Sequence, residues 1–555
     1  MKVTSWLLSA ILLAFAWPIQ GWTQVPTHTV EPIDRGAYAA IRAEGLRNSQ
    51  VMTFAGDLAD GIGARLMWSP NMRKAYAWSQ ATLRGLGAAD VHLEDIGHDG
   101  LSWRQTNAWM RLSSPDSMVF VAQAAPWSVS SHGAVTGDVV RADLESDADF
   151  ARYHGKLEGK IVFLGRPRPV PIPFQPFASR LTDTQLASGE AVSDIKRYFA
   201  TRKAHLDSLA AREAFKSRLG AFLRREHVLA VVLESRDGEN GGGTGDLAVD
   251  TSAMPGETPW EPAHRPTYPI LFTAAEDFAR VSRLIDKGVD VKVQFEVDVQ
   301  AGTRPEHGYN VVAEIPGSDP RLTSEIVILG AHLDSWAAGT GATDDGAGVA
   351  IALEVVRILK AVNAKPRRSI RIVLYGGEEE GLYGSQSYIE HHFGNVPSAA
   401  GQDSIPIIGW REPSGPVRTL PEYSKLSAAY NLDDGGGRIR GVFTGGNAAL
   451  ASIYGQWIAP LKDLGVSTVV DAQDWPADAS SYHHINLNGI TFLQDPLDYD
   501  SRSHHTNMDV LERLSRDDLA QAAVVQTIFV LNTANRDRPL PKPDQVESGH
   551  PQQRL

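Results

Sequence analysis

In the stretch GAHLDSWAAGTGATDDGAGVA, Gly330 to Ala350, one imidazole and three carboxylates close an apolar run. His332 and Asp334 are two residues apart, so an extended backbone sends both side chains to one side. An imidazole that ligates a metal commonly gives its second N–H to a carboxylate, a task the spacing alone does not assign to Asp334. Asp344 and Asp345 follow in GATDDGAG, just ahead of a helical pattern. Glycines let the chain bend tightly there, and a helix N-terminus favours negative charge. A capping aspartate beside a satisfied histidine would read the same way, so this stretch needs support from elsewhere.

YGGEEEGLYGS supplies it with Glu378, Glu379 and Glu380 after the strand-like IRIVLY. Like charges in a partly dry position repel unless they share a cation or a proton. Of two adjacent carboxylates, one can ligate a metal while the other takes the proton of a water. The bland alternative is an acidic first turn of the helix that begins near Gly381. YNLDDGGG repeats the pattern of strand, carboxylate and glycine with Asp433 and Asp434, and DSRSHHTNMD brings His504, His505 and, four residues on, Asp509. Each patch alone could be a solvated turn; together they offer two imidazoles and several carboxylates. That donor set fits two Zn²⁺ ions per chain sharing one aspartate. Two such ions about 3.5 to 4 Å apart can activate a water and stabilise the oxyanion formed on an attacked carbonyl.

The remaining candidates read more plainly. His391 and His392 fall at a helix C-terminus, where positive charge suits the helix dipole. His483 and His484 are read as wall or core. Asp474, Asp478 and Tyr499 are candidate pocket-lining residues.

These groups sit where strands give way to loops, the usual place for a site in open α/β sheets. YNVVAEIPG, EIVILGAHLDS, SIRIVLYGGEEE, AAYNLDD and GITFLQDP are β-branched apolar runs, with GAGVAIALEVVRILKAV and GLYGSQSYIEHHF as helices between them. In the first helix Ile351, Val355 and Ile358 or Leu359 recur on one face, as in a layer covering a sheet. The expected fold is therefore α/β, a mostly parallel or mixed sheet flanked by helices. Residues 25–129 open with helical patterns and turn to strands. Residues 130–303 change texture to short strand-like runs with one or two helices, which suggests a smaller strand-rich domain. Residues 304–535 carry the motifs and end in a long helix after Asp509; residues 536–555 hold too much proline and charge to pack.

Composition narrows the class. A chain of 555 residues with 43% hydrophobic content exceeds what one core needs. There is no cysteine, so metal ligands must be His, Asp or Glu. A net charge of -13 and a pI near 5.7 argue against nucleic acid as a partner. Residues 1–24 pair Lys2 with an apolar stretch from Trp6 to Trp17, too short for a stable anchor. They read as an export signal, which places the mature chain in the periplasm or outside the cell with no membrane span.

GAHLDSW, GATDDGAG, EEEGLYGS, NLDD and HHTNMD, in that order from Asn310 to about Asn535, resemble the zinc-dependent exopeptidase family of the two-zinc bacterial aminopeptidases and plasma glutamate carboxypeptidase. The likeness is stronger to the latter branch, whose opening helices LADGIGARLMWSPNMRKAYAWSQATL is also similar to. The resemblance implies that His332 binds one zinc with Asp433, that Asp344 bridges both, and that Glu379 and His505 hold the second. It implies Glu378 as general base, Asp334 as the group orienting His332, and Asp345 beside the bridge facing the substrate's end. Asp433 is preferred over Asp434 because it follows YNL, and His505 over His504 because HTNMD matches the family pattern. Residues 130–303 look like an inserted protease-associated domain, forming a wall of the cleft or regulating access. GQDSIPIIGWREPSGPVRTLPEYSKL looks like extra loop on the substrate side.

The expected activity is hydrolysis of dipeptides or short peptides, with amino- and carboxy-terminal specificity both open and homodimerisation undecided. The same scaffold could instead serve a non-peptide amide hydrolase or an acyl transferase, and the third reading is a non-catalytic interaction module. Peptide turnover and bound transition metal separate the three.

Overall fold

The computed structural model describes residues 30–235, 245–396 and 415–543. The expected export signal, most of the extra loop after Ala400 and the last residues of the tail lie outside them.

Gly489–Ile490, Leu426–Asn431, Ile326–His332 and Ser369–Tyr375 lie side by side as parallel strands. Ile326–His332 and Leu426–Asn431 are buried at every position, which is why they read as continuous apolar runs and do not alternate. The next strand, Lys292–Ile315, is antiparallel and unusually long. Its C-terminal part pairs with Ser369–Tyr375 and its N-terminal part with Val135–Ala142, while Ala89–Ser114 pairs along its length. Beyond Val135–Ala142 the sheet continues through parallel Ile161–Leu164, Ala230–Glu234 and Ile270–Thr273, and ends on antiparallel Ala122–Ala124. The fold is thus α/β with a mixed sheet, and one long strand ties its two halves into a single hydrogen-bonded surface.

The middle of the chain departs from a purely strand-rich pattern. Besides its strands it holds the 33-residue helix Ser193–Arg225 and the helix Ala275–Asp286. Backbone pairing ignores the texture changes seen in the sequence: Lys292–Ile315 runs straight through 303, and the edge strand Ala122–Ala124 precedes 130. This half has its own core, in which Val162, Leu233, Ile270 and Phe272 of the strands meet Leu219, Phe222 and Leu223 of the long helix. A second cluster seats Leu186, Val192 and Ile195 against Phe443, Val470 and Leu493. Beside it Arg180 donates to Asp495 at 2.8 Å and to Asp518 at 2.7 Å, both carboxylates fully buried.

Ala347–Ala361 is buried all round from Ala347 to Leu359, not on one face only. The helices Arg35–Arg47, Val51–Ala59, Pro70–Leu86 and Arg516–Asn535 all pack against it in addition to the sheet. Its charges survive there because Arg357 donates to Glu354, which also accepts from the Gln50 backbone. The terminal helix starts at Arg516, where Ser515 caps it, after a separate turn at Leu511–Arg513.

The expected loose tail packs over its first residues. Arg536 pairs with Glu31, Leu540 is buried, and the Pro541 carbonyl accepts from Asn447 and Asn488. Proline-rich composition did not prevent packing because one apolar residue reached a pocket and the backbone found donors. No helix among the described residues is long and apolar enough to cross a membrane.

Candidate active site

The expected residues come from three loops at the C-terminal ends of the central parallel strands Ile326–His332, Ser369–Tyr375 and Leu426–Asn431, and from the turn before the terminal helix. His332 ends its strand, and its Nε2 lies 3.1 Å from Asp344 Oδ1 and 3.7 Å from Asp433 Oδ1. On the other side His505 Nε2 is 3.1 Å from Glu379 Oε2 and 3.5 Å from Asp344 Oδ2. Asp344 therefore turns one oxygen to each imidazole, and each imidazole has a further carboxylate of its own.

The doublets separate by geometry. Asp433 faces His332, while Asp434 takes a left-handed backbone and lines the cleft beside it. His505 faces Glu379, and the His504 ring lies tilted beside it, 3.8 Å away between ring centres and 5.0 Å from the centre of Tyr499. Burial pushes His504 down to about 4, so it stays neutral near pH 7.

Asp334 works between strands. Its oxygens accept the backbone N–H groups of Glu378 and Glu379 at 3.3 and 3.2 Å, and Oδ1 stands 3.7 Å from His332 Nδ1. One carboxylate thereby sets the loop carrying both glutamates and flanks the histidine. Asp345 corrects an expectation: it does not face substrate. It is fully buried, with Oδ2 accepting from the His332 backbone at 3.2 Å and Oδ1 from Gly348 at 2.9 Å. Although its oxygens lie near His332 and Asp433, both are engaged in stapling the strand end to the helix start. Asp509 is likewise an anchor, its Oδ1 accepting from the Thr343 backbone and hydroxyl. Glu380 is buried behind the cleft.

Glu378 is half-buried and lines a cleft of 240 Å³ together with Asp344, Glu379, Asp433, Asp434 and His505. Tyr499 lines it as expected; Asp474 and Asp478 do not, although Pro476 and Ala477 between them do. His483 and His484 take the wall role, His483 Nε2 meeting the Gly489 carbonyl at 2.7 Å and burial holding both rings well below their ordinary value. A larger groove of 710 Å³ beside Arg35–Arg47 contains no carboxylate or imidazole.

Electrostatics match a cation site. Burial, reinforced by Asp344, pushes the Glu379 carboxyl up to about 8, and burial with Asp433 nearby raises Glu378 well above the carboxylate range despite His332. Burial would lower His332 and His505, but the surrounding carboxylates hold both well above their ordinary value. The cluster carries more negative charge than two imidazoles can balance, a conflict that divalent cations resolve. Asp344 Oδ2 and Glu379 Oε1 are buried without hydrogen-bond partners, and a ligating role would satisfy both. His332, Asp344 and Glu379 lie close enough to share an ion, as do Asp344, His504 and His505. The residues present thus fit two zinc ions: oxygen and imidazole donors, no thiolate, and one carboxylate between two sets.

Two supporting residues escaped the sequence reading. Arg65, fully buried, donates to the carbonyls of Leu333 at 2.7 Å, Thr340 at 2.8 Å and Gly341 at 2.8 Å. It fixes the strand end and the glycine loop from a segment more than 260 positions earlier. Asp250, from the middle of the chain, places Oδ2 3.4 Å from His505 Nδ1. Neither carries a local motif; only the paired backbones bring them in.

Residues 310–530 match the model of Peptidase family M28. Carboxypeptidase Q of Bos taurus is 24% identical over 486 residues, 87% of this chain and 85% of that protein. That of Rattus norvegicus is 27% identical over 279 residues, 50% of this chain and 52% of that protein, and that of Xenopus laevis 36% over 138 residues, 25% and 29%. The matched stretch thus spans about half or less of the length of those last two relatives. A Peptidase M28 precursor from Shewanella amazonensis superposes with a TM-score of 0.61 at 24% identity, covering 91% of this chain and 98% of that one. The zinc aminopeptidase BSAP of Bacillus subtilis gives 0.52 at 16% identity, covering 90% and 97%. These two structures share the α/β fold described above. The motifs, the converged donors and the matched model point the same way: residues 310–530 are similar to peptidase family M28, and the cluster they carry offers the donors of a metal centre.

Proposed function

We propose that this chain is an exported two-zinc exopeptidase acting on the free amino terminus of dipeptides and short peptides. The observation that carries the reading is Asp344, with one oxygen toward His332 and the other toward His505. His332 and Asp433 would hold one ion, Glu379 and His505 the other, and Asp344 both. When bound, the ions supply Lewis-acid charge that makes a water acidic and stabilises negative charge on the attacked carbonyl oxygen. The rest falls to the chain's own groups. Glu378, half-buried and next to Glu379, takes the proton of the attacking water at its carboxylate and returns it to the leaving nitrogen. Asp334 keeps Glu378 in place through its backbone N–H.

The choice of terminus rests on charge. Asp250, Asp344, Glu378, Glu379, Asp433 and Asp434 line the cleft, and among the described residues no lysine or arginine does. A substrate carboxylate would find no cation there, whereas an α-ammonium group meets Asp434 and its neighbours. Residues 130–303 act as a protease-associated-like insert that forms one wall: Asp250, Thr251 and Ser252 line the cleft. Export is supported by the character of residues 1–24 in the sequence.

A panel of free, N-acetylated and C-amidated dipeptides tests the proposal. Turnover should survive C-amidation and disappear on N-acetylation. The reverse pattern would assign carboxy-terminal recognition, and zinc-loaded protein with no turnover on any peptide would overturn the peptidase reading of the cleft.

A further inference from the structure

We infer that Asp250 is a positioning residue for the metal centre: the middle segment of the chain supplies the carboxylate that orients His505. The assignment rests on the two-zinc reading above. His505 turns Nε2 toward Glu379 and Asp344, and its other ring nitrogen, Nδ1, faces Asp250 Oδ2 at 3.4 Å. A carboxylate on Nδ1 keeps the proton there and leaves the Nε2 lone pair directed at the ion, which is how such partners raise ligand basicity.

Asp250 is there by construction. Residues 247–249 run antiparallel to residues 505–507: Val249 N–H donates to the His505 carbonyl at 3.1 Å, Asn507 N–H to the Leu247 carbonyl at 3.0 Å, and Leu247 N–H to Asn507 Oδ1 at 2.8 Å. Ala248 and Thr506 form a bridge within this pairing. His505 itself has a left-handed backbone, φ 60°, so its ring direction depends on what brackets it. The other oxygen, Asp250 Oδ1, accepts the Ser252 N–H at 2.7 Å, and Lys216 of the long helix donates to the next carbonyl, Thr251, at 3.0 Å. Carboxylate, turn and histidine thus form one braced unit spanning the two halves of the molecule. The middle segment is in this view part of the metal centre as well as a wall beside it.

Full-length Asp250→Ala, Asp250→Asn and Asp250→Glu chains, stripped of metal and titrated with Zn²⁺ against a competing chelator, test this. Wild type should take two ions. Asp250→Ala should bind one ion as before and the other about 10- to 100-fold more weakly. Asp250→Asn, which keeps an acceptor but loses the charge, should fall between, and Asp250→Glu should recover part of the loss. Equal affinity at both sites in Asp250→Ala and wild type would overturn the assignment, as would a loss in Asp250→Asn equal at both sites if the alanine chain does not fold. A wild-type chain that binds no zinc would instead overturn the two-zinc reading, and the positioning role with it.

Discussion

At the scale of single residues the site depends on a division of labour between neighbours of the same type. Glu378 and Glu379 are adjacent, yet only Glu379 faces an imidazole, and Glu378 remains at the cleft surface. Glu378→Gln keeps shape and removes the base, so zinc content should match wild type while kcat falls by about 10²- to 10⁴-fold; metal analysis beside steady-state kinetics checks both halves. The histidine doublet gives a second prediction. His505→Ala should cost one of two bound ions, whereas His504→Ala, removing a neutral ring beside the site, should leave two ions bound. Equal zinc loss in both variants would mean that His504 also ligates.

At the scale of elements, the loop bearing these glutamates leads into the helix Tyr383–His392, whose far end is held by charge. His392 Nε2 is 3.0 Å from Glu94 on the long strand Ala89–Ser114, and Nδ1 is 3.2 Å from Glu422. Burial would lower this imidazole and Arg371 opposes its charge, but the two glutamates outweigh them and raise it from 6.5 to about 9. Because the folded value is the higher one, the stabilisation is complete below the ordinary value of 6.5 and disappears as pH rises through about 9. In denaturant titrations wild type should therefore exceed His392→Gln in stability at pH 6, with the gap closing by pH 10. A gap independent of pH would show that packing against Tyr388, 4.4 Å away between ring centres, is what matters.

At the scale of the whole molecule, the two halves of the sheet share one strand, and the contacts that lock them are ionic as well as apolar. Asp518 at the start of the terminal helix receives Arg180 from the middle segment and Arg438 from the motif-bearing part, while Asp495 receives Arg180 and Arg440. Asp518 is fully buried and both its partners are partly exposed. Asp518→Ala should thus cost on the order of 2 kcal/mol, below the penalty for a fully buried pair, because water can reach the stranded guanidinium groups. Calorimetry checks it: an unchanged melting temperature would mean that the apolar seam of Leu186, Val192, Ile195, Phe443 and Leu493 holds the halves together unaided.

The sequence by itself determined which residues could bind metal and where along the chain they stood. Strand ends, glycine turns and acid doublets are local patterns, and five of them in order left few alternatives. It also indicated an α/β fold, since buried parallel strands read as unbroken apolar runs. Composition alone did not separate the members of each doublet, for which the family resemblance favoured Asp433 and His505; the tertiary structure turns Asp433 toward His332 and His505 toward Glu379. It alone showed that Asp345 staples the strand to the helix, that the helix is covered on all sides from Ala347 to Leu359, and that Arg536, Leu540 and Pro541 of the tail are tied down. Asp250 and Arg65 were illegible for the same physical reason: long-range pairing brings a lone aspartate and a lone arginine to the site across 255 and about 270 positions, and no local spacing records that closure.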